Sequence, residues 1–332
     1  MNLLSSELNS DFSFQGLIEE LHRLVSGTIS VNVNLAKLSR WKVGGIARCI
    51  IEPSSINELK KLIIFFNKRK VHYIVIGETS NILFSDFGLK VPCIKIGTKL
   101  SGIEKKNNIV NVESGVWIPK LARTLMNMGL SGAEHICGIP GTFGGLIYMN
   151  GGSNRQSISE SVITVTSITP KGDICIRKVD NCKFSYRNSI FQYSDDIIVS
   201  AELKFDHKDK KLIRNDMLSI LHTRKNKFPN KLPNCGSVFK SNPSMYEKVG
   251  APGKIIEVLG FKGHCVGDAI ISPLHANFIV NNGKASSSDI VALINLVKDS
   301  VLINTGYDME VEIKFLSSNG YFKCPSKVVD GD

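Results

Sequence analysis

This chain has no apolar run that reaches the roughly 18–20 residues a membrane-crossing helix needs, so no membrane span is expected. The opening residues, Met1 to Ser13, offer neither a basic start nor an apolar core, so no secretory leader is expected. Cysteine is present eight times but never as Cys-x-x-Cys, and 332 residues need no disulfide staples; reduced thiols in a cytoplasm are expected. A Gly-x-Ser-x-Gly elbow is missing, which removes the commonest serine-hydrolase reading of Ser237. Repeats and low-complexity tracts are also missing. Acid is the scarcer charge, 30 residues against 41 Lys and Arg, a net charge of +11. The surplus is scattered over Lys60-Lys61, Lys68 to Lys70, Lys105-Lys106, Lys208 to Lys211 and Arg224 to Lys231. Without a basic arm, zinc pattern or aromatic-basic stretch, it does not suggest a nucleic-acid partner. A diffuse surplus fits a solvated surface that steers anionic small molecules into a cleft.

What the chain does have is glycine in two telling places. Gly138-Ile139-Pro140-Gly141-Thr142-Phe143-Gly144-Gly145 puts four glycines and a proline into eight residues. Removing Cβ atoms at that density lets backbone N–H groups approach a ligand, most often phosphate. Its spacing is neither a dinucleotide fingerprint nor a P-loop, and a tight structural turn is the plain alternative. About a hundred residues later comes Asn234-Cys235-Gly236-Ser237-Val238-Phe239-Lys240.

Length suggests two or three domains. Residues 1–26 read as a helical extension, with Phe14, Leu17, Ile18, Leu21, Leu24 and Val25 at 3–4 spacing. A strand at Cys49–Glu52, a helix after Ser54-Ser55, a buried strand at Tyr73–Ile76 and another at Ile82–Phe84 form a small βαβ unit. Its loop Gly77-Glu78-Thr79-Ser80-Asn81 follows a strand C-terminus, where α/β sheets place ligands. Short strands are expected over 93–116, a helix over Pro119–Gly129, and antiparallel strands over 160–205. The charged Asp206–Lys211 reads as a turn and domain boundary. Beyond it the pattern predicts helices at Leu212–Lys225, Pro252–Leu259 and Ser288–Val301, with strands at Asn277–Val280 and Glu310–Leu316.

Several side chains could carry chemistry. Arg187, after Tyr186, is either a surface cation or a bidentate clamp for carboxylate or phosphate. Ser237 is a small hydroxyl on a glycine-led loop. Glu310 and Glu312, two apart on an expected strand, would face one side, either a solvent edge or a site wall. Arg224 and Lys227 share a face of a helix end, as a solvated patch or a diphosphate clamp.

Taken in order, these pieces resemble the UDP-N-acetylenolpyruvoylglucosamine reductase (UDP-N-acetylmuramate dehydrogenase) family, over about Asn34 to Leu316. The resemblance rests on Trp41-Lys42-Val43-Gly44-Gly45, the Gly77 to Leu83 loop, Gly129 to Glu134 and the glycine nest. It continues through Met149 to Gly152, Tyr186 to Ser189, Gly236 to Lys240, His275 to Asn281 and Glu310 to Ile313. It implies an α+β fold: a two-part FAD-binding domain of the vanillyl-alcohol oxidase type, then a C-terminal α+β substrate domain. The implied divisions are a helical extension 1–30, an FAD-binding domain 31–206, a substrate domain 207–318 and a tail 319–332. It also implies non-covalent FAD, NADPH as reductant and a nucleotide-sugar substrate whose enolpyruvyl ether is reduced, in peptidoglycan precursor synthesis. A monomer is favoured and no metal is implied.

Carried over by residue, Arg187 would bind and polarise the substrate carboxylate, Ser237 would donate the proton, and Glu312 would complete the site. FAD would lie near Trp41, Val43, Gly44, Gly45, Gly77, Thr79, Ser80, Asn81, Gly115, Gly138, Ile139, Pro140, Gly141, Thr142, Gly144, Gly145 and Asn150. Tyr186, Arg224, Lys227, Asn242 and His275 would hold the substrate. The chain departs from the family pattern at Arg40, where threonine is common, at Gly77-Glu78-Thr79, where Gly-x-Gly is usual, and at Gly152 to Arg155. No insertion follows Tyr186-Arg187, so it resembles the short form without a tyrosine-bearing lid loop. A paralogue acting on a related nucleotide-sugar, or a silent nucleotide-sugar-binding protein, remains open at this point.

Overall fold

The computed structural model describes residues 14–328, so the expected helical extension before Phe14 and the end of the expected tail lie outside the described residues. The helix that is described, α1 (Phe14–Leu24), buries Leu17, Ile18 and Leu21, as the 3–4 spacing predicts. β1 (Thr28–Asn34) and the short helix α2 (Leu35–Leu38) follow, then β2 (Ile46–Glu52) and α3 (Ile56–Lys68). α3 starts at Ser55 because its hydroxyl accepts the Glu58 N–H, while the Glu58 carboxylate accepts Ser54 N–H and both donors of Ser26. β3 (Ile74–Ile76), β4 (Ile82–Phe84) and β5 (Cys93–Lys95) complete this region. The sheet order is β1-β2-β5-β3, with an antiparallel β1–β2 pair and parallel β2–β5–β3. One expectation is corrected here. β4 is a strand but does not join the βαβ unit; it leaves for a different sheet. Apolar alternation marks a strand without marking its partner.

The next region is one antiparallel sheet with helices on it. β6 (Ile103–Lys106), β7 (Ile109–Glu113), α4 (Ile118–Met128), β8 (Leu130–Ser131) and α5 (Phe143–Tyr148) come first. β9 (Val162–Ile168), β10 (Ile174–Lys178), β11 (Ile197–Lys204), β12 (Asp206–His207) and α6 (Lys210–Lys227) follow. The sheet runs β10-β9-β11-β7-β6. Pro119 in the first turn of α4 and left-handed Gly129 at its end bound that helix. The core here joins Val110, Val112, Leu121, Leu125, Phe143, Ile147, Val165, Phe191, Ala201 and Leu203. Asp206–Lys211 is not a bare turn: β12 pairs with β8, and Asp209 caps α6 by accepting Lys211 and Leu212 N–H groups. Charged side chains can sit outward on a strand while its backbone pairs. Ile213 and Met217 of α6 pack onto this same core.

The C-terminal region holds α7 (Pro243–Lys248), α8 (Pro252–Val258), β13 (Cys265–Val266), β14 (Ala269–Ile271), β15 (Ile279–Asn281), α9 (Ser287–Thr305), β16 (Lys314–Leu316) and β17 (Phe322–Lys323). α9 packs Ile290, Leu293, Ile294, Val297 and Val301 against the β13-β14-β15 sheet. The strand expected over Glu310–Leu316 is shorter. Val311 makes only an isolated bridge to Phe239, and the chain then switches partner to run as β16 parallel to β4. Lys314, Phe315 and Leu316 sit opposite Ile82, Leu83 and Phe84.

Two further ties join the first region to the last. Trp41 is fully buried in the C-terminal core; its indole N–H donates to Ile279 O at 2.8 Å, and Asn281 Nδ2 donates to Trp41 O at 2.9 Å. The Asp86 carboxylate accepts N–H and O–H of Ser287 and N–H of Ser288 at the start of α9. Among the described residues no helix is long and apolar enough to cross a membrane.

Candidate active site

The three regions meet around one cavity of about 730 Å³. Its first wall is the loop after β3. Its second is the glycine nest between α4 and α5, and the two touch: a Cβ on Gly77 would come within 2.1 Å of Thr142 Oγ1. No side chain fits at that crossing. Gly145 is different, since its Cβ would meet only Thr142 Oγ1 at 3.6 Å and would otherwise enter the cavity. The protein leaves that space to a ligand. The backbone N–H groups of Gly141, Thr142 and Gly145 also have no acceptor among the described residues. Bare N–H donors around a Cβ-free floor suit an anion such as a diphosphate, and the apolar walls Val75, Ile76, Ile96, Ile197 and Ile198 suit flat rings.

The third wall carries the reactive groups. Tyr186 and Arg187 are the tip of a turn closed by reciprocal N–H···O bonds between Ser185 and Asn188. Arg187 has φ 54°, a left-handed conformation that glycine or asparagine adopts far more cheaply. Arg187 Nε donates to Glu312 Oε1 at 2.7 Å, and a terminal nitrogen donates to Gly152 O at 3.1 Å. The strained turn is thus spent on aiming one guanidinium. Ser237 reaches the same wall because Glu312 N–H donates to Val238 O at 2.7 Å and Lys240 N–H donates to Glu310 O at 2.9 Å. This short antiparallel contact sets the serine loop beside the glutamate.

Glu310 and Glu312 do not act alike. Glu310 is exposed and pairs with Lys240, whereas Glu312 is enclosed with only 14% of its side chain exposed. Burial pushes the Glu312 carboxyl above the usual carboxylate range, with Arg187 and then Lys240 opposing it. Asn81 joins the walls: its Nδ2 donates to Glu312 O at 3.3 Å and its carbonyl accepts Lys314 N–H at 3.1 Å.

Of the residues named from sequence, Arg187, Ser237, Glu312, Arg224, Gly77, Ser80, Asn81 and the nest from Gly138 to Gly145 (Phe143 apart) line the cavity. Arg224 lies against Gly138 and over the Phe228 ring. The other named residues do not line the cavity. Trp41 and Val43 are core; Gly44 is closed in by Leu35 and Phe84, Gly45 by Asp86, Gly115 by the Gly97 carbonyl. Thr79 is buried and bonded to Arg40 and Leu38. Asn150 is buried, donating to Ser185 O and accepting Ser159 N–H. Tyr186 stacks under Arg187 and accepts Ser241 N–H, Asn242 O accepts Met245 N–H, and Lys227 lies over Phe228. His275 Nδ1 accepts Asn277 N–H while its ring packs on the wall residues Phe228 and Phe278; burial and Lys227 hold its pKa below the ordinary value.

Sequence reasoning missed Lys314, Lys231, Trp117 and Phe322 on the wall. Only Lys314 left a signal, as the next same-face position after Glu312. Burial lowers its pKa. No insertion follows Arg187; the chain turns straight into the short helical turn Ile190–Gln192.

A two-part region with paired glycine loops, a Cβ-free cradle of bare N–H donors and an adjoining polar wall fits an FAD-binding flavoprotein. Residues 47–176 match the family described as FAD binding domain, and residues 228–316 match the UDP-N-acetylenolpyruvoylglucosamine reductase C-terminal domain. The chain is 41% identical over 301 residues to UDP-N-acetylenolpyruvoylglucosamine reductase 1 of Corynebacterium glutamicum, covering 91% of this chain and 90% of that one. It is 35% identical to the Bacillus subtilis reductase, covering 91% and 99%. The crystal structure of the Thermus caldophilus reductase superposes with a TM-score of 0.74 at 27% identity, covering 87% and 98%. The chain belongs to the UDP-N-acetylenolpyruvoylglucosamine reductase family.

Proposed function

We propose that this protein reduces the enolpyruvyl ether of UDP-N-acetylglucosamine enolpyruvate to UDP-N-acetylmuramate with NADPH, in the cytoplasm, for peptidoglycan precursor synthesis. Residues 31–206 carry the cofactor and supply Arg187 to the substrate, and 207–318 supply the other substrate contacts. The Gly77–Asn81 loop and the Gly138–Gly145 nest would hold non-covalent FAD, which with NADPH as reductant would supply the hydride for the terminal enol carbon. The chain's own residues do the rest. Arg187 holds the substrate carboxylate, and its guanidinium is already oriented by Glu312 and Gly152, so charge that develops on the carboxylate side is stabilised without reorganisation. Ser237 delivers its hydroxyl proton to the carbon that bears the carboxylate. Arg224, with Phe228 behind it, takes up nucleotide phosphate. The observation that carries this reading is the Arg187–Glu312 pair on one cavity wall with Ser237.

Stopped-flow measurement of the two half-reactions tests it. The purified protein should be yellow, release FAD on denaturation, bleach with NADPH and regain colour with substrate, giving parallel initial-rate lines. Reoxidation by substrate no faster than by oxygen would overturn it.

A further inference from the structure

Of the six cations on the cavity wall, three are already engaged. Arg187 is held by Glu312 and Gly152, Lys42 Nζ donates to Lys37 O, and Arg224 is laid between Gly138 and Phe228. The Arg40, Lys231 and Lys314 side chains have no hydrogen bond or ion pair among the described residues. Two of these three are tied by backbone to the loop after β3: Lys314 at its end, through Asn81 O, and Arg40 at its middle, next to Glu78. The Arg40 backbone N–H donates to Thr79 Oγ1 at 3.1 Å, and the same hydroxyl donates to Leu38 O at 3.2 Å. Thr79 is 1% exposed, and Cys235 Sγ donates to its carbonyl at 3.4 Å. The Arg40 charge is felt at that sulfur: burial pushes the Cys235 thiol up to about 12, and Arg40 is the leading influence against it.

The loop needs a cation there. Its neighbour Glu78 lies on the same wall and is exposed to the cavity. A diphosphate brought to the bare N–H groups would meet that carboxylate as a like charge. A guanidinium offers a planar fork that matches phosphate oxygens. A hydroxyl with both its hydrogen bonds fixed inside the wall holds the backbone of that cation in one place.

We propose that Arg40 is the cation that neutralises the cofactor's diphosphate on the Gly77–Asn81 loop, and that Thr79 is the positioning residue that holds Arg40 there. This rests on the FAD reading. Arg40 is exposed, so replacing it leaves the fold intact.

The test is FAD release from the holoenzyme, followed as the rise of free flavin fluorescence after dilution at low and high salt. Arg40→Ala should release FAD about 10–100-fold faster at low salt, the worth of a charge-assisted hydrogen bond. The gap should shrink as salt screens the pair. Arg40→Lys should fall between. Thr79→Val should speed release as well, Thr79→Ser should restore it, and Arg40→Ala/Thr79→Val should be no worse than Arg40→Ala alone. Wild-type release from Arg40→Ala overturns the proposal, and so does unchanged release with a raised KM for NADPH. Additive losses in the double variant remove Thr79 from the positioning role. A wild-type protein that holds no FAD would instead sink the flavin reading itself.

Discussion

Arg187 shows what a single residue can be made to do by its backbone. A left-handed φ at a turn tip costs an arginine more than a glycine, and the reward is a guanidinium fixed between Glu312 and Gly152. Arg187→Ala should keep FAD, lose substrate affinity and slow substrate reduction, because its carboxylate contact exists in the ground state as well. Ser237→Ala should leave flavin reduction by NADPH intact and slow substrate reduction by ~10²–10⁴-fold. Equal slowing of both half-reactions would remove the serine as proton donor. Glu312 gives a pH prediction. Its carboxyl titrates above the ordinary glutamate range because of burial, so protonation frees Arg187 at a higher pH than an exposed glutamate would. The acid limb of substrate reduction should therefore lie above that of an ordinary exposed glutamate, and Glu312→Gln should abolish that limb along with most of the rate. Gly145 and Gly144 separate cofactor from fold. Gly145→Val should cost FAD retention with little change in melting temperature. Gly144→Ala should lower the melting temperature, because its Cβ would lie 2.8 Å from Ser114 Cβ.

At the scale of elements, the start of α3 carries its own pH signature. Burial disfavours the charged form of Glu58, but hydrogen bonds from Ser54 and Ser26 outweigh it and lower the pKa to about 2. A depressed folded-state value means the stabilisation is complete above the unfolded value near 4.3 and is lost as pH falls toward 2. Glu58→Gln should thus melt below wild type at neutral pH, with the two curves converging as pH drops through that window. Local signals of this kind were legible in the sequence. The Ser54-Ser55 start, the Pro119 and Gly129 bounds of α4, and β4 at Ile82–Phe84 could all be read from short-range pattern. Partnership could not. The same three apolar residues of β4 would look identical in the first sheet, and Glu310 to Ile313 reads as strand whichever neighbour it has. The site followed the same rule. Arg187, Ser237 and Glu312 came from motif order, while Lys314, Trp117 and Phe322 reach the wall only through tertiary packing. Thr79 and Asn150, named for the cofactor, turned out to have their polar groups used inside the protein.

For the whole molecule, the β4–β16 pairing is the seam. It sets Asn81 of the cofactor loop against Glu312 and Lys314, so the cavity is finished only when the first and last regions are joined. Removing residues from Lys314 onward should cost FAD retention and substrate reduction together, while circular dichroism still reports the antiparallel β10-β9-β11-β7-β6 sheet, whose core draws nothing from β16. Retention of tight FAD by that truncated chain would show the seam to be dispensable. The seam also sets a timetable. Asn81 and Glu312 are 231 residues apart, and a ribosome adding ~5–20 residues per second takes on the order of 10–50 s to pass from one to the other. Throughout that interval the Gly77–Asn81 loop exists without the strand that orders it. Nascent chains stalled before Glu312 should emerge colourless, and loading should begin only near the close of translation, making cofactor capture one of the last events in this protein's birth.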